Sequence, residues 1–192
     1  MKRLIILLVI ILLSGCVPLE SNKIQDQPSG INSQELAYTE IIQVPGAKKK
    51  DLYLRARDWF MKTFYVGTNV MKIQDPENGE LVGYSTIIHE ESTVFNPYQC
   101  AAGTVHYTIH VWVKDGRYKY DISRFYHVSK CANVNPYWNI NKFYQSGPSS
   151  AMDNIQKENY RRVKYHVVNS IDALIVSLKS NMSSLSSVNE NW

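Results

Sequence analysis

Few cysteines, a single apolar run and near-balanced charge narrow the possibilities for this chain before any motif is read. The one extended apolar run, residues 4–13, has ten residues, well short of the roughly 20 that a membrane-spanning helix needs. Apart from Lys48-Lys49-Lys50 there is no basic run, which argues against nucleic acid as a partner. Neither standard Gly-rich phosphate loop is present, and no carboxylate or cysteine stands at metal-ligand spacing around the five histidines, so nucleotide and zinc readings lose their motifs. No internal repeat is visible.

What is present begins at the N-terminus. Lys2 and Arg3 precede the apolar run, as in a secretory signal. Leu13-Ser14-Gly15-Cys16 resembles the bacterial lipobox. In that arrangement, small residues admit the lipoprotein signal peptidase and the cysteine thiol receives a diacylglyceryl group. The expectation is cleavage after residue 15 and acylation of Cys16 by chains such as palmitate. Each buried methylene contributes about 0.8 kcal/mol, so several chains anchor a protein without a span. Val17 stands where an aspartate would signal inner-membrane retention. The expected anchor is therefore the outer membrane, with the domain on its periplasmic face. Removing residues 1–15 takes away Lys2 and Arg3 and leaves 19 basic against 17 acidic residues.

Residues 16–37 are polar, hold Pro18, Pro28 and Gly30, and read as a flexible tether. A domain over 38–180 follows, long enough for one core, and 181–192 is a Ser- and Asn-rich tail. Within the domain, strands are expected at 38–44, 70–74, 81–89, 104–113 and 117–128. A helix is expected at 50–64, where Leu52, Ala56, Trp59, Phe60 and Phe64 share a face. A long C-terminal helix, starting as early as Met152, follows from the stripe Val163, Val167, Ile171, Leu174 and Leu178. The fold class is α+β, in the order β-α-β-β-β-β-α.

Asp115-Gly116 reads as a two-residue type I′ hairpin, with positive φ at both positions. Opposed residues then sum to 231. Ile109 faces Ile122, Val111 faces Tyr120 and Val113 faces Tyr118, while His110 meets Asp121 and Trp112 meets Lys119 on the other face. A one-residue slip would set Val111 against Lys119, so this register is favoured. The same sum pairs Cys100 with Cys131, the even pair left in an oxidising compartment once Cys16 is acylated, and predicts a disulfide. A bulge beyond Thr104 or His127 would alter this local pairing.

The histidines offer little chemistry. His106 and His110 lie roughly 13 Å apart along one strand. His106 and His127 are diagonal neighbours that His89 could approach, read as polar residues on an outer sheet face. His110 opposite Asp121 lacks a nucleophile at any recognisable elbow, so a cross-strand charged pair is the expectation. His166 falls on the polar side of the last helix, and Glu90-Glu91 point to opposite faces of a strand. No catalytic residue, metal or cofactor is assigned. Aromatic density near the two cysteines stands out: Phe95, Tyr98, Tyr137, Trp138, Phe143 and Tyr144. These six are either a binding surface or a satellite core under the loop 129–150, and packing is the preferred reading.

Glu40-Ile41-Ile42-Gln43-Val44-Pro45-Gly46, Asp51-Leu52-Tyr53 with Arg55-Ala56 and Trp59-Phe60, and Asn78-Gly79-Glu80-Leu81-Val82-Gly83 together resemble an exported bacterial family. That family is a domain of unknown function with a TBP-like fold; Lys114-Asp115-Gly116-Arg117-Tyr118 and the terminal helix also match. The resemblance implies a curved antiparallel sheet packed against a long C-terminal helix, and it carries no catalytic residue. Three functional readings follow. The first is a non-enzymatic module whose sheet or aromatic loops bind an envelope protein partner or a cell-envelope ligand. The second is a carrier of a small apolar ligand between sheet and helix. The third is a hydrolase or metal enzyme using His106, His127 or His110 with Asp121.

Overall fold

A computed structural model of the chain describes residues 34–64, 70–91, 97–135 and 139–183. The expected signal segment, Cys16, most of the tether and the end of the tail lie outside them, as do Phe95, Tyr137 and Trp138. The elements are β1 (Tyr38–Gln43), α1 (Lys49–Thr63), β2 (Met71–Asp75), β3 (Glu80–His89), a 3-10 turn (Gln99–Ala101), β4 (Gly103–Lys114), β5 (Arg117–Ser129) and α2 (Asn154–Ser183). The strands form one antiparallel sheet in the order β1-β5-β4-β3-β2. This is the α+β arrangement read from the sequence. Among the described residues, no helix is long and apolar enough to cross a membrane.

Strand alternation decides which face is buried. Leu81, Ile109, Val111, Val113, Tyr118, Tyr120 and Ile122 point inward and are buried, matching the apolar row read from the hairpin register. Against them pack Leu52, Ala56, Trp59 and Phe60 of α1 and Val163, Val167, Ile171 and Leu178 of α2, all buried. Gly83 admits Phe60: a Cβ there would come within 2.6 Å of the ring. Polar bonds tie the helices together, Trp59 Nε1 donating to Ser177 Oγ at 3.1 Å and Asn181 Nδ2 donating to the Arg55 carbonyl at 2.7 Å. Asp153 and Gln156 cap α2 reciprocally: the Gln156 N–H donates to Asp153 Oδ1, and the Asp153 N–H to Gln156 Oε1.

Packing reaches beyond 38–180 at both ends. Leu36 is buried and its N–H donates to the Phe143 carbonyl at 2.7 Å, while Met182 is fully buried at the other end. Both are apolar residues next to polar stretches, which is why composition alone placed the limits inside them.

Two local features depart from expectation. In the hairpin, positive φ falls at Gly116 alone (73°), not at Asp115, so the loop is not type I′. A long-range contact holds it instead: Asp115 Oδ1 accepts the Lys49 N–H at 2.7 Å, and the Gly116 N–H donates to the Ala47 carbonyl. The carboxylate thereby stands at the N-terminus of α1, where it offsets the three lysines that oppose the helix dipole. The register from Thr108↔Ser123 to Lys114↔Arg117 is the expected one. A bulge then intervenes at Arg124, whose φ is 59°, and beyond it the pairs are His106↔Tyr126, Val105↔His127 and Gly103↔Ser129. The extra residue turns Phe125, His127 and Ser129 inward.

Candidate functional site

The Cys100–Cys131 disulfide is present, with Cα atoms 5.3 Å apart. It does not close across the ladder in the register used to predict it. The bulge shifts Cys131 toward Ala101, and the 3-10 turn over 99–101 brings Cys100 back within reach. Ser129 Oγ donates to the Cys100 carbonyl at 2.7 Å, fixing this turn.

The aromatic residues near the disulfide do not form one exposed patch. Phe143 is 1% exposed, packed against Tyr160 with ring centroids 5.4 Å apart. Its burial fits the packing reading and not a binding surface: the ring packs on Tyr160 and the Phe143 carbonyl accepts the Leu36 N–H. Tyr144 is half-buried, its N–H donating to the Tyr160 hydroxyl at 2.6 Å. Tyr98 is partly exposed, with the Arg162 guanidinium 4.3 Å above its ring. The described members of the set therefore act as packing.

The bulge also relocates a histidine. His127 is fully buried rather than on the outer face, and burial pushes its pKa down to about 4. His89 is likewise inward and buried; burial lowers its pKa, against the raising effect of Glu91 3.2 Å away. The His166 ring lies 5.2 Å from that of His89, and Arg162 Nη1 is 3.5 Å from Glu91 Oε1. Sequence reasoning had left His166 and Glu91 without partners. Among the described residues, no group of three His, Cys, Asp or Glu side chains could hold a metal ion.

His110 and Asp121 are opposed in register, as read, yet do not pair. His110 Nε2 is 2.5 Å from Glu80 Oε1, on the neighbouring strand. Asp121 instead accepts hydrogen bonds from Thr39 and Ser123, both at 2.5 Å. The imidazole–carboxylate pair is therefore His110 with Glu80, not His110 with Asp121.

The outward face of the sheet has a different character. It carries Ile41 at 58%, Tyr84 at 50% and Ile88 at 63% exposure, with Tyr126 and half-buried Trp112 between them. Two depressions open there. One, of about 370 Å³, is lined by Ile41, Trp112, Lys114, Arg117, Tyr118 and Lys119. The other, of about 310 Å³, includes Tyr84, Thr86, His106 and Arg124. The positive φ of Arg124 at a bulge beside the second depression is the kind of backbone strain that collects at functional surfaces. At the first, the row Glu80, Trp112, Lys119, Ile41 crosses four strands. The His110 ring stacks on Trp112 at 3.4 Å, and Lys119 Nζ lies 5.1 Å from its centre. Trp112 opposite Lys119 was legible from the hairpin. Ile41 was not, because it arrives only when β1 pairs with β5, some 80 residues downstream.

Comparison with known proteins agrees with this architecture. The search of curated proteins finds no relative. Residues 38–128 match the family described as "Domain of unknown function (DUF4468) with TBP-like fold". The chain is similar to the crystal structure of a DUF4468 family protein from Bacteroides ovatus, with a TM-score of 0.54 and 13% identity over 83% of this chain and 92% of that one. It is also similar to a TBP-like protein from Parabacteroides distasonis, with a TM-score of 0.50 and 11% identity over 79% and 96% of the two chains. Strand order, terminal helix and these likenesses converge: residues 38–128 match the DUF4468 family model, and the chain has the TBP-like fold.

Proposed function

We propose that this protein is a non-enzymatic binding module of the cell envelope, held at the outer membrane by lipid on Cys16, and that it binds through the open face of its sheet. One observation carries the binding half. Both helices pack on the inner face, leaving Ile41, Tyr84, Ile88 and Tyr126 exposed together on the other. An uncovered sheet face that exposes several large apolar side chains offers area for a partner to bury. The lipobox-like Leu13-Ser14-Gly15-Cys16 supports the anchor. The small net charge supports a ligand other than nucleic acid.

Of the two expected surfaces, the sheet and the aromatic loops, this reading takes the sheet. It also displaces the carrier reading, because the space between sheet and helices is filled by Trp59, Phe60, Ile109, Ile122, Val167 and Ile171, all buried. His110 is held by Glu80 and stacked on Trp112, and Asp121 is held by Thr39 and Ser123, which supports binding over hydrolysis by a His110–Asp121 pair.

The test is face-resolved photo-crosslinking in growing cells. A benzoylphenylalanine in place of Tyr84, on the open face, should give an adduct of defined mass. The same group in place of Tyr165, 72% exposed on α2, should not. Adducts from position 165 alone would overturn the reading.

A further inference from the structure

We infer that the depression over Trp112 binds an amphipathic anion: a small molecule whose carboxylate or phosphate sits among Lys114, Arg117 and Lys119 while its apolar or planar body lies against Trp112 and Ile41. The inference rests on the open face being the binding surface, and it adds the chemistry of the occupant.

Charge carries the first part. Lys114 is directly opposite Arg117, and Lys119 is two residues further along the same strand and face. Like charges directly opposed on a sheet destabilise it. None of the three has a carboxylate partner among the described ion pairs. The nearby carboxylates are already engaged: Asp115 with the Lys49 N–H, Glu80 with His110, and Asp121 with Thr39 and Ser123. An anion seated among the three cations would relieve their repulsion through charge-assisted hydrogen bonds.

Shape carries the second part. The Trp112 ring is held before any ligand arrives, stacked on an imidazole that Glu80 fixes. Ile41 sits opposite Lys119 and extends the apolar floor to the sheet edge. A held indole beside an aliphatic side chain favours a flat or hydrocarbon body and loses little entropy on binding. At about 370 Å³, the depression is at the small end of ordinary ligand sites. A purely apolar ligand would leave Lys114 and Arg117 without a counter-charge, Lys119 having only the Trp112 ring, and a bare inorganic anion would leave Ile41 in water. Only a ligand with both parts meets both demands.

The experiment is an NMR titration of the isotope-labelled full-length chain with naphthalene-2-carboxylate, its neutral amide, and phosphatidylglycerol vesicles. The acid should shift the Trp112 indole N–H and the amides of 112–119 saturably, and bind roughly tenfold tighter than the amide. The exposed pair Lys114→Gln with Arg117→Gln should erase that preference and leave the rest of the spectrum unchanged; Trp112→Leu should weaken acid and amide alike. Equal affinity for acid and amide, or acid binding undiminished in the Gln pair, would overturn the proposal. So would perturbation of this face by vesicles but not by the soluble acid, which would make the occupant a membrane surface. If the acid fails while crosslinks still form from position 84, only the ligand class is wrong.

Discussion

His127 Nε2 lies 3.0 Å from the carbonyl oxygen of Ala101, the residue that follows Cys100 of the disulfide. The Nε2–H donates to that carbonyl while Nδ1 accepts from the Ile140 N–H at 3.5 Å, and a ring that accepts at one nitrogen is neutral. With its pKa held down to about 4 by burial, the folded state binds fewer protons than the unfolded state, where the value is about 6.5. The sign follows from linkage: stability is full above about 6.5 and declines as pH falls toward 4. A shift of this size corresponds to about 3 kcal/mol at most. Chemical denaturation at pH 7.5 and 4.5 should show that decline. His127→Gln should flatten it, and an unchanged slope in the variant would contradict the assignment.

The disulfide should contribute chiefly by restraining the unfolded chain. For a separation of 31 residues, the loop-entropy argument gives about 3–4 kcal/mol. The paired change Cys100→Ser with Cys131→Ser should lower the thermal midpoint by many degrees without altering the secondary structure content. A midpoint unchanged within error would show that the 3-10 turn and its hydrogen bonds, Ser129 to Cys100 among them, hold this end alone.

Gly83 and Phe60 should be coupled. A Cβ at 83 would stand 2.6 Å from the Phe60 ring, so Gly83→Ala is expected to cost about 1–3 kcal/mol by overpacking. Adding Phe60→Leu should recover part of that loss even though it is destabilising alone. Additive costs in the double-mutant cycle would mean that the two positions do not touch.

Lipidation of Cys16 is tested by labelled palmitate in growing cells. Label should enter the wild-type chain, which should sediment with membranes, and should be missing from Cys16→Ser, which should not sediment. Label in both chains would remove the anchor from the account.

Most of the fold was legible because its signals are local. The stripe through Val163, Val167 and Ile171 set α2, and alternation around Asp115-Gly116 set the β4–β5 register. The disulfide was legible too, although the geometry behind it was not. Nothing in Ser123-Arg124-Phe125 announces a bulge, and that one residue sends His127 inward and reroutes the approach of Cys131. The turn type was missed for a similar reason. Asp115 serves α1 rather than its own hairpin, and a contact spanning 66 residues leaves no local trace. The candidate site was half visible: Trp112 opposite Lys119 came from the hairpin, while Ile41 and Glu80 joined them only through neighbouring strands.

The central claim is that binding occurs on the open sheet face. It is tested most directly by comparing NMR spectra of the labelled full-length chain with and without an extract of its own cell envelope. The account predicts shifts confined to outward residues of β3, β4 and β5, led by Trp112 and Tyr84, with α2 unaffected. Shifts confined to Tyr165, Val176 and the outer surface of α2 would contradict it.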